Sequence, residues 1–324
     1  MSAATDIARQ WQSALTPAAD VAGQIAGLSW VLIVGSALIF IGVMVLLAWA
    51  IWRGRAASEA GTRVRPAVWL VGGGLVFPAV VLVALGVYSH ARTPDWLAQP
   101  PPGALVVSIT AQMWWWEVRY RDPSTGQDVT LANELHLPVG RPVWLGLNSP
   151  NVIHSFWVPA LGGKMDMVPG RVNHLLITPS VAGTWRGQCA EFCGEQHARM
   201  ALHVVAKDAA DFDRWLAAQA KPAAPADTAA LAQGRDAFAA QRCNACHTVR
   251  GEFEEGKLGP DLTHVGSRLF LGAGTLRNQP GAMAHWVADT QAIKPGARMP
   301  SSPATSLDDV TALNALSAYL DHLQ

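Results

Sequence analysis

The sequence predicts three parts in series: a two-helix membrane hairpin, an all-β sandwich and a small all-α module. Two uncharged apolar runs, 27–52 and 66–89, predict the first part. Short alternating stretches with turn residues between them, from Leu105 to Val205, predict the second. Helix-spaced apolar positions on either side of Cys243-Asn244-Ala245-Cys246-His247 predict the third. A chain of 324 residues is long enough for two compact domains plus an anchor. The expected boundaries are 1–95 for an N-terminal tail and the hairpin, with helices at about 25–52 and 66–90. The sandwich takes 96–220, a linker 221–228 and the helical module 229–324.

Each apolar run exceeds the ~20 residues that cross a bilayer. The loop between them carries Arg53, Arg55, Arg63 and Arg65 against Glu59, and basic residues concentrate on the cytoplasmic side. The loop is therefore expected in the cytoplasm and both termini outside. Trp30, Trp49, Trp52, Trp69 and Tyr88 sit near the run ends, where amphipathic rings favour headgroups. Pro78 is expected to kink the second helix. The first run is too long for a signal peptide, and basic residues follow it rather than a small-residue cleavage site.

Formal net charge is zero, which argues against a nucleic-acid partner. From Lys221 onward nine basic side chains face ten acidic ones, so any docking patch there is local. All four cysteines fall within two motifs, leaving none for a disulfide framework.

The first motif runs Cys189-Ala190-Glu191-Phe192-Cys193-Gly194-Glu195-Gln196-His197-Ala198-Arg199-Met200, with His154 upstream in Val152-Ile153-His154-Ser155-Phe156. Two thiols, two imidazoles and a thioether are soft and borderline donors, suited to copper rather than calcium or magnesium. Such a loop can wrap two ions and exchange single electrons. Structural zinc is the rival, but zinc seldom recruits methionine. The expected strands are 105–110, 114–120, 129–136, 142–147, 172–177 and 201–205, with turns at 122–126 and 168–170. His136, His174 and His203 fall in strands and are expected to pack or to hydrogen-bond at the surface. Three successive tryptophans, Trp114 to Trp116, cannot all point inward from one strand, so at least one is expected to be exposed or capped by a partner.

The residues Val152 to Pro159, Lys164-Met165-Asp166-Met167-Val168-Pro169-Gly170-Arg171 and Gly187 to Met200, after a two-helix hairpin, resemble subunit II of heme–copper cytochrome c oxidases. The resemblance implies a cupredoxin-like sandwich holding the binuclear copper A centre. By position, Cys189 and Cys193 would bridge both coppers. His154 and Met200 would complete one, and His197 with the Glu191 backbone carbonyl the other. The Glu191 carboxylate would face a magnesium ion at the subunit I interface. Met113-Trp114-Trp115-Trp116 resembles the family's Gln-Trp-Tyr-Trp element, whose first exposed ring, here Trp114, receives electrons.

Cys243-Asn244-Ala245-Cys246-His247 is the c-type heme attachment pattern, with Cys243 and Cys246 for the thioethers and His247 for the iron. The stretch 221–228, Lys-Pro-Ala-Ala-Pro-Ala-Asp-Thr, reads as a semi-stiff linker. Leu231, Gly234 and Phe238 share a helix face. Val310, Leu313, Leu316, Tyr319, Leu320 and Leu323 form a second amphipathic helix, with Gly234 permitting close approach and Phe238 near Tyr319. The arrangement resembles a small class I cytochrome c, as fused to subunit II in some bacterial oxidases. In the matching loop Leu258 to Leu262, the Pro260 carbonyl would accept the His247 N–H. Met299, in Lys294 to Pro300, is preferred as sixth iron ligand over Met283, which reads as core. His264 and His285 are weaker candidates.

Three positions depart from the family. No acid stands at Arg63 to Trp69, where many members carry a glutamate for a proton path. Asn151 replaces an aspartate, and Met113 replaces the glutamine before the first tryptophan. The expected function is electron input to a proton-pumping respiratory oxidase, from cytochrome c or its reductase through heme c and the copper pair to subunit I, which reduces oxygen. Subunit I, subunit III and the bilayer are the expected partners. The expected place is the bacterial plasma membrane, with the N-terminus and both redox domains on the periplasmic side. The alternatives are a copper-containing nitric oxide reductase subunit and a membrane-anchored copper-delivery protein. A quinol oxidase subunit would not need the copper donors.

Overall fold

The computed structural model describes residues 12–56, 65–92, 99–121, 126, 128–303 and 306–324. The residues Glu59 and Arg63, the Arg55 side chain, the turn positions 122–125 and the boundary near residue 95 lie outside the described residues.

Among the described residues two helices are long and apolar enough to cross a membrane: α1 (Asp20–Ala56) and a second over Val68–His90. Their apolar side chains, Leu38, Phe40, Leu70 and Leu82 among them, are exposed, whereas a soluble core helix would bury them. The second helix opens as a π-helix, Val68–Val76, and continues as α2 (Phe77–His90). Phe77 N–H bonds the Gly72 carbonyl, five residues back, just before Pro78, which has no N–H to donate. The irregular turn therefore lies N-terminal to the expected kink. Arg53 lies over the Trp49 ring and Arg92 over the Tyr88 ring, at 5.0 and 4.9 Å.

Ten strands form a two-sheet sandwich. One sheet has the order β3-β2-β1-β5-β8, from β1 (Leu105–Gln112), β2 (Trp115–Arg121), β3 (Asp128–Ala132), β5 (Val143–Asn148) and β8 (Asn173–Ile177). The other has the order β4-β10-β9-β6-β7, from β4 (Glu134–Pro138), β6 (His154–Trp157), β7 (Met165–Met167), β9 (Gly183–Cys189) and β10 (Ala201–Lys207). Between them Val107, Ile109, Trp116, Val118, Leu145, Phe156 and Leu202 make the core.

The expected single strand at 129–136 is two strands in different sheets. Asn133, at φ 63°, turns the corner between β3 and β4. Its side-chain carbonyl accepts the Trp116 N–H at 2.9 Å, and its own N–H reaches the Trp116 carbonyl at 2.9 Å. The Tyr120 hydroxyl ties the sheets together beyond that corner. It accepts the His136 N–H at 2.6 Å and donates to the His136 carbonyl at 2.9 Å. Helix α3 (Ala209–Gln219) closes this end with Phe212 and Leu216, and Trp215 stacks on His136 at 3.9 Å. The segment just before α1 also joins the sandwich: Ala18 N–H bonds the Ala160 carbonyl and Ser180 N–H the Ala18 carbonyl.

In the C-terminal module α4 (Ala229–Ala240) and α6 (Leu307–His322) cross at Gly234, where a Cβ would strike the Ala315 carbonyl and lie 2.7 Å from Tyr319 Cβ. Phe238 meets Tyr319 edge-on at 6.1 Å. Thr228 and Ser306 cap the two helices. Helix α5 (Ala282–Ile293) buries Met283 in the same core. A short hairpin, β11 (Phe270–Leu271) and β12 (Leu276–Arg277), precedes it. The 221–228 stretch runs along this module: Ala223 N–H bonds the Arg250 carbonyl and His264 Nε2 lies 3.1 Å from the Lys221 carbonyl. Gly234→Ala is expected to destabilise the module by about 1–3 kcal/mol through overpacking, read as a lower midpoint in denaturant unfolding of the heme-loaded chain. An unchanged midpoint would contradict the close crossing.

Candidate metal centre

The strand register builds the cage. β6 pairs with β9 so that Phe156 faces Cys189, which brings His154 beside the end of β9. Cys189 N–H bonds the Met200 carbonyl at 2.9 Å, closing the loop at its base, and Ala190 N–H bonds the Ser155 carbonyl at 3.0 Å. Gly194 (φ 111°) turns the loop, and a 3₁₀ turn, His197–Arg199, delivers Met200.

All five predicted side-chain donors converge. Cys189 Sγ lies 3.7 Å from Cys193 Sγ and 3.7 Å from His154 Nδ1. Cys193 Sγ lies 3.7 Å from His197 Nδ1 and 3.9 Å from Met200 Sδ. The Glu191 carbonyl is 3.2 Å from Cys189 Sγ. A first-row ion takes thiolate at about 2.3 Å and imidazole at about 2.0–2.1 Å, so donors sharing an ion lie within about 4.5 Å of one another. Each pair meets that limit, and His154, Cys189, Cys193 and Met200 are buried. The donor set fits soft metal ions.

Neighbouring groups tune the cage. Asn151 Oδ1 lies 3.3 Å from His154 Nε2 and orients the ring so that Nδ1 faces Cys189. Trp116, fully buried, sits edge-on to His154 at 6.5 Å. The hydrogen bond from the Cys193 thiol, with help from His154, holds the Cys189 thiol well below its ordinary range. That same bond, with burial, pushes Cys193 up. The pair thus shares one proton. The Glu191 carboxylate is half-exposed, 3.8 Å from Lys164 Nζ, which also pairs with Asp166 at 2.8 Å.

Trp114 and Trp115 are half-buried and Trp116 is buried, so none of the three stands free. Trp114 Nε1 donates to the Cys193 carbonyl at 2.8 Å, and its ring lies against Gly194, where a Cβ would come within 3.1 Å. His136 stacks on Trp215, His174 on Trp144 and His203 on Phe270 as packed rings.

In the C-terminal module Cys243 and Cys246 are free thiols on a 3₁₀ turn. His247 Nδ1 lies 2.8 Å from the Pro260 carbonyl, which leaves Nε2 as the ring's remaining donor. A Cβ at Gly259 would sit 2.6 Å from His247 Cε1, so only glycine lets the loop lie flush on the ring. Burial lowers the His247 pKa and favours the neutral, ligating form. Met299 is half-buried on the module core, with its carbonyl 2.6 Å from Gln291 Nε2. Two free thiols and a braced imidazole fit a covalent heme.

Two participants had no sequence signal. Gln196 is buried and its Nε2 donates to the Pro295 carbonyl. Lys294, only 3% exposed, donates to the carbonyls of Trp114 (2.8 Å), Arg199 (2.9 Å) and Gly272 (3.0 Å). Burial pushes Lys294 down to about 7, while three carbonyl acceptors match the three donors of the ammonium form.

A sandwich whose strand ends hold a thiol-rich cage, followed by a module with a heme-attachment loop, defines a two-module redox protein. The model for cytochrome c oxidase subunit II, periplasmic domain, matches residues 123–207, and the cytochrome c model matches 231–324. Cytochrome c oxidase subunit 2 of Alkalihalophilus pseudofirmus is 34% identical over 255 residues, 77% of this chain and 71% of that one. The Bacillus subtilis subunit 2 is 30% identical over 230 residues, 68% of this chain and 63% of that one. The solved periplasmic domain of subunit II of cytochrome oxidase from Bradyrhizobium japonicum is 28% identical, with a TM-score of 0.34, covering 37% of this chain and 96% of that one. The chain belongs to the cytochrome c oxidase subunit 2 family and carries a C-terminal cytochrome c domain.

In the metal-free chain, thiolate ultraviolet absorbance is expected to persist well below the ordinary thiol range and to vanish in Cys189→Ser. A chain with no thiolate below about pH 7 would contradict the shared proton.

Proposed function

We propose that this chain is the electron-input subunit of a membrane-bound heme–copper oxidase. Electrons from an external cytochrome c or its reductase reach heme c on the C-terminal module, then the binuclear copper in the sandwich loop, then subunit I. Oxygen reduction and proton pumping belong to the wider complex with subunits I and III. The single observation behind this reading is the convergence of two cysteines, one histidine and a methionine of one loop with His154 of β6, within a chain that also carries a braced Cys-x-x-Cys-His.

When bound, both groups supply one-electron uptake and release. The rest is done by the chain. Cys189, Cys193, His154, His197, Met200 and the Glu191 carbonyl would hold the copper. Strands β6, β9 and β10 hold these donors in place, which limits rearrangement when charge changes. Cys243 and Cys246 would anchor the heme, and His247, fixed by Pro260, and Met299 would bind its iron. Trp114 is proposed to connect the cage with its donor side, and the Glu191 carboxylate is proposed as a magnesium ligand toward subunit I. The two apolar helices would anchor the chain, with both redox modules on the periplasmic face of a bacterial plasma membrane.

The test is turnover of the purified complex with reduced cytochrome c under oxygen or nitric oxide. Oxygen consumption that is lost in Cys189→Ser is expected. Nitric oxide reduction alone would move the chain to a nitric oxide reductase, and ready copper loss to a chelator would favour delivery. Met299→Ala is expected to abolish the sulfur–iron absorption band and lower the heme potential. Met283→Ala is expected to leave the potential unchanged and to cost about 2–5 kcal/mol of stability. A band that survives in Met299→Ala and vanishes in Met283→Ala would reverse the assignment.

A further inference from the structure

We propose that Lys294 is the positioning residue that locks the heme module onto the copper loop, fixing the distance across which the two redox groups exchange electrons. The inference rests on the electron-input reading above.

The module does not touch the sandwich at random. Its contacts fall on both sides of the donors in the loop. Before Met200, the Arg199 carbonyl accepts from Lys294 Nζ at 2.9 Å, and Arg199 Nη1 donates to the Ile293 carbonyl at 2.5 Å. After Met200, the Ala201 N–H donates to the Ala273 carbonyl at 2.9 Å. Beside His197, Gln196 donates to the Pro295 carbonyl. Two segments of the module, 272–274 and 293–296, therefore clasp the chain that carries His197 and Met200.

Lys294 is where these contacts meet. Its nitrogen joins the Gly272 carbonyl of its own module to the Trp114 and Arg199 carbonyls of the sandwich. Trp114 in turn donates through Nε1 to the Cys193 carbonyl. A continuous series of covalent and hydrogen bonds thus runs from the chain segment bearing Met299, through Lys294 and Trp114, to Cys193. Close approach depends on the β11–β12 turn, where Gly272, Ala273 and Gly274 all have positive φ. A Cβ at Gly274 would lie 2.9 Å from Ala201 Cβ. Truncating Lys294 removes its donor from the Trp114 and Arg199 carbonyls, while the Gly272 carbonyl keeps the Thr275 hydroxyl, and the loss shifts the docked population.

The experiment uses the full-length chain in detergent, loaded with heme and copper, and Lys294→Met. A flash-activated ruthenium bipyridine complex reduces the heme, and heme-to-copper transfer is followed at several protein concentrations. Hydrogen exchange at Ala201 reports docking without reference to either group. The expected result for Lys294→Met is a concentration-independent transfer slowed about tenfold, with unchanged heme and copper spectra and faster exchange at Ala201. Arg199→Ala, which removes an exposed side chain, is expected to give a smaller loss in the same direction. Wild-type transfer and wild-type exchange in Lys294→Met would overturn the proposal. If Lys294→Met fails to load both groups, wild-type transfer and exchange in Arg199→Ala would overturn it instead. A wild-type chain that holds both groups yet passes no electron between them would overturn the electron-input reading, and exchange at Ala201 would still judge the clamp.

Discussion

Two sulfur atoms 3.7 Å apart in a buried loop are the constraint on which the rest of the structure depends. Two thiolates at that distance repel each other, and burial removes the water that would screen them. In the metal-free chain the conflict is met by sharing one proton between Cys189 and Cys193. The alternative is a cationic metal, which the remaining donors are placed to complete. Cys189 closes β9 against Met200, just before β10, and Ser155 grips the loop from β6. The ligand positions are therefore strand positions, and the core of Trp116, Phe156 and Leu202 keeps them from relaxing apart.

The same loop carries a second load on its outer side. The C-terminal module meets it through hydrogen bonds from loop backbone and buried polar side chains rather than through a broad apolar face. His203 stacked on Phe270, and Glu134 accepting the Leu269 N–H, extend the contact along β10 and β4. A contact made of directional bonds fixes orientation more sharply than apolar burial of the same size, because each unmet buried group costs free energy. Orientation matters for two redox groups whose exchange depends on distance. The half-burial of Trp114 follows from its packing on the sandwich core and against Gly194.

The centre was legible in the sequence because its donors are local. Four of the five side-chain donors lie between Cys189 and Met200, and the heme motif occupies five consecutive residues. Spacing alone carries such chemistry. The Gly234 crossing and the Pro260 carbonyl were legible for the same reason, as short patterns with one structural solution. What was lost is non-local. Asn133 breaks an unbroken β-like run because Trp116, far away in sequence, rewards a left-handed turn with two hydrogen bonds. Strands β6 and β7, of four and three residues, are too short to show alternation, and β9 buries only Gly187 and Cys189. The residues before α1 look like a tail, and only the partners at Ala160 and Ser180 make them part of the sandwich. Lys294 reads as an ordinary surface lysine, since its three acceptors come from three separate segments.

The central claim is that the loop holds a copper pair rather than a single ion. Copper and iron content of the heme-loaded extramembrane chain, from about Trp96 onward, measured with near-infrared absorption and EPR, tests it most directly. About two copper ions per chain with a delocalised mixed-valence signal, beside about one covalent heme, are predicted. A single labile copper, or zinc in the same cage, would contradict it.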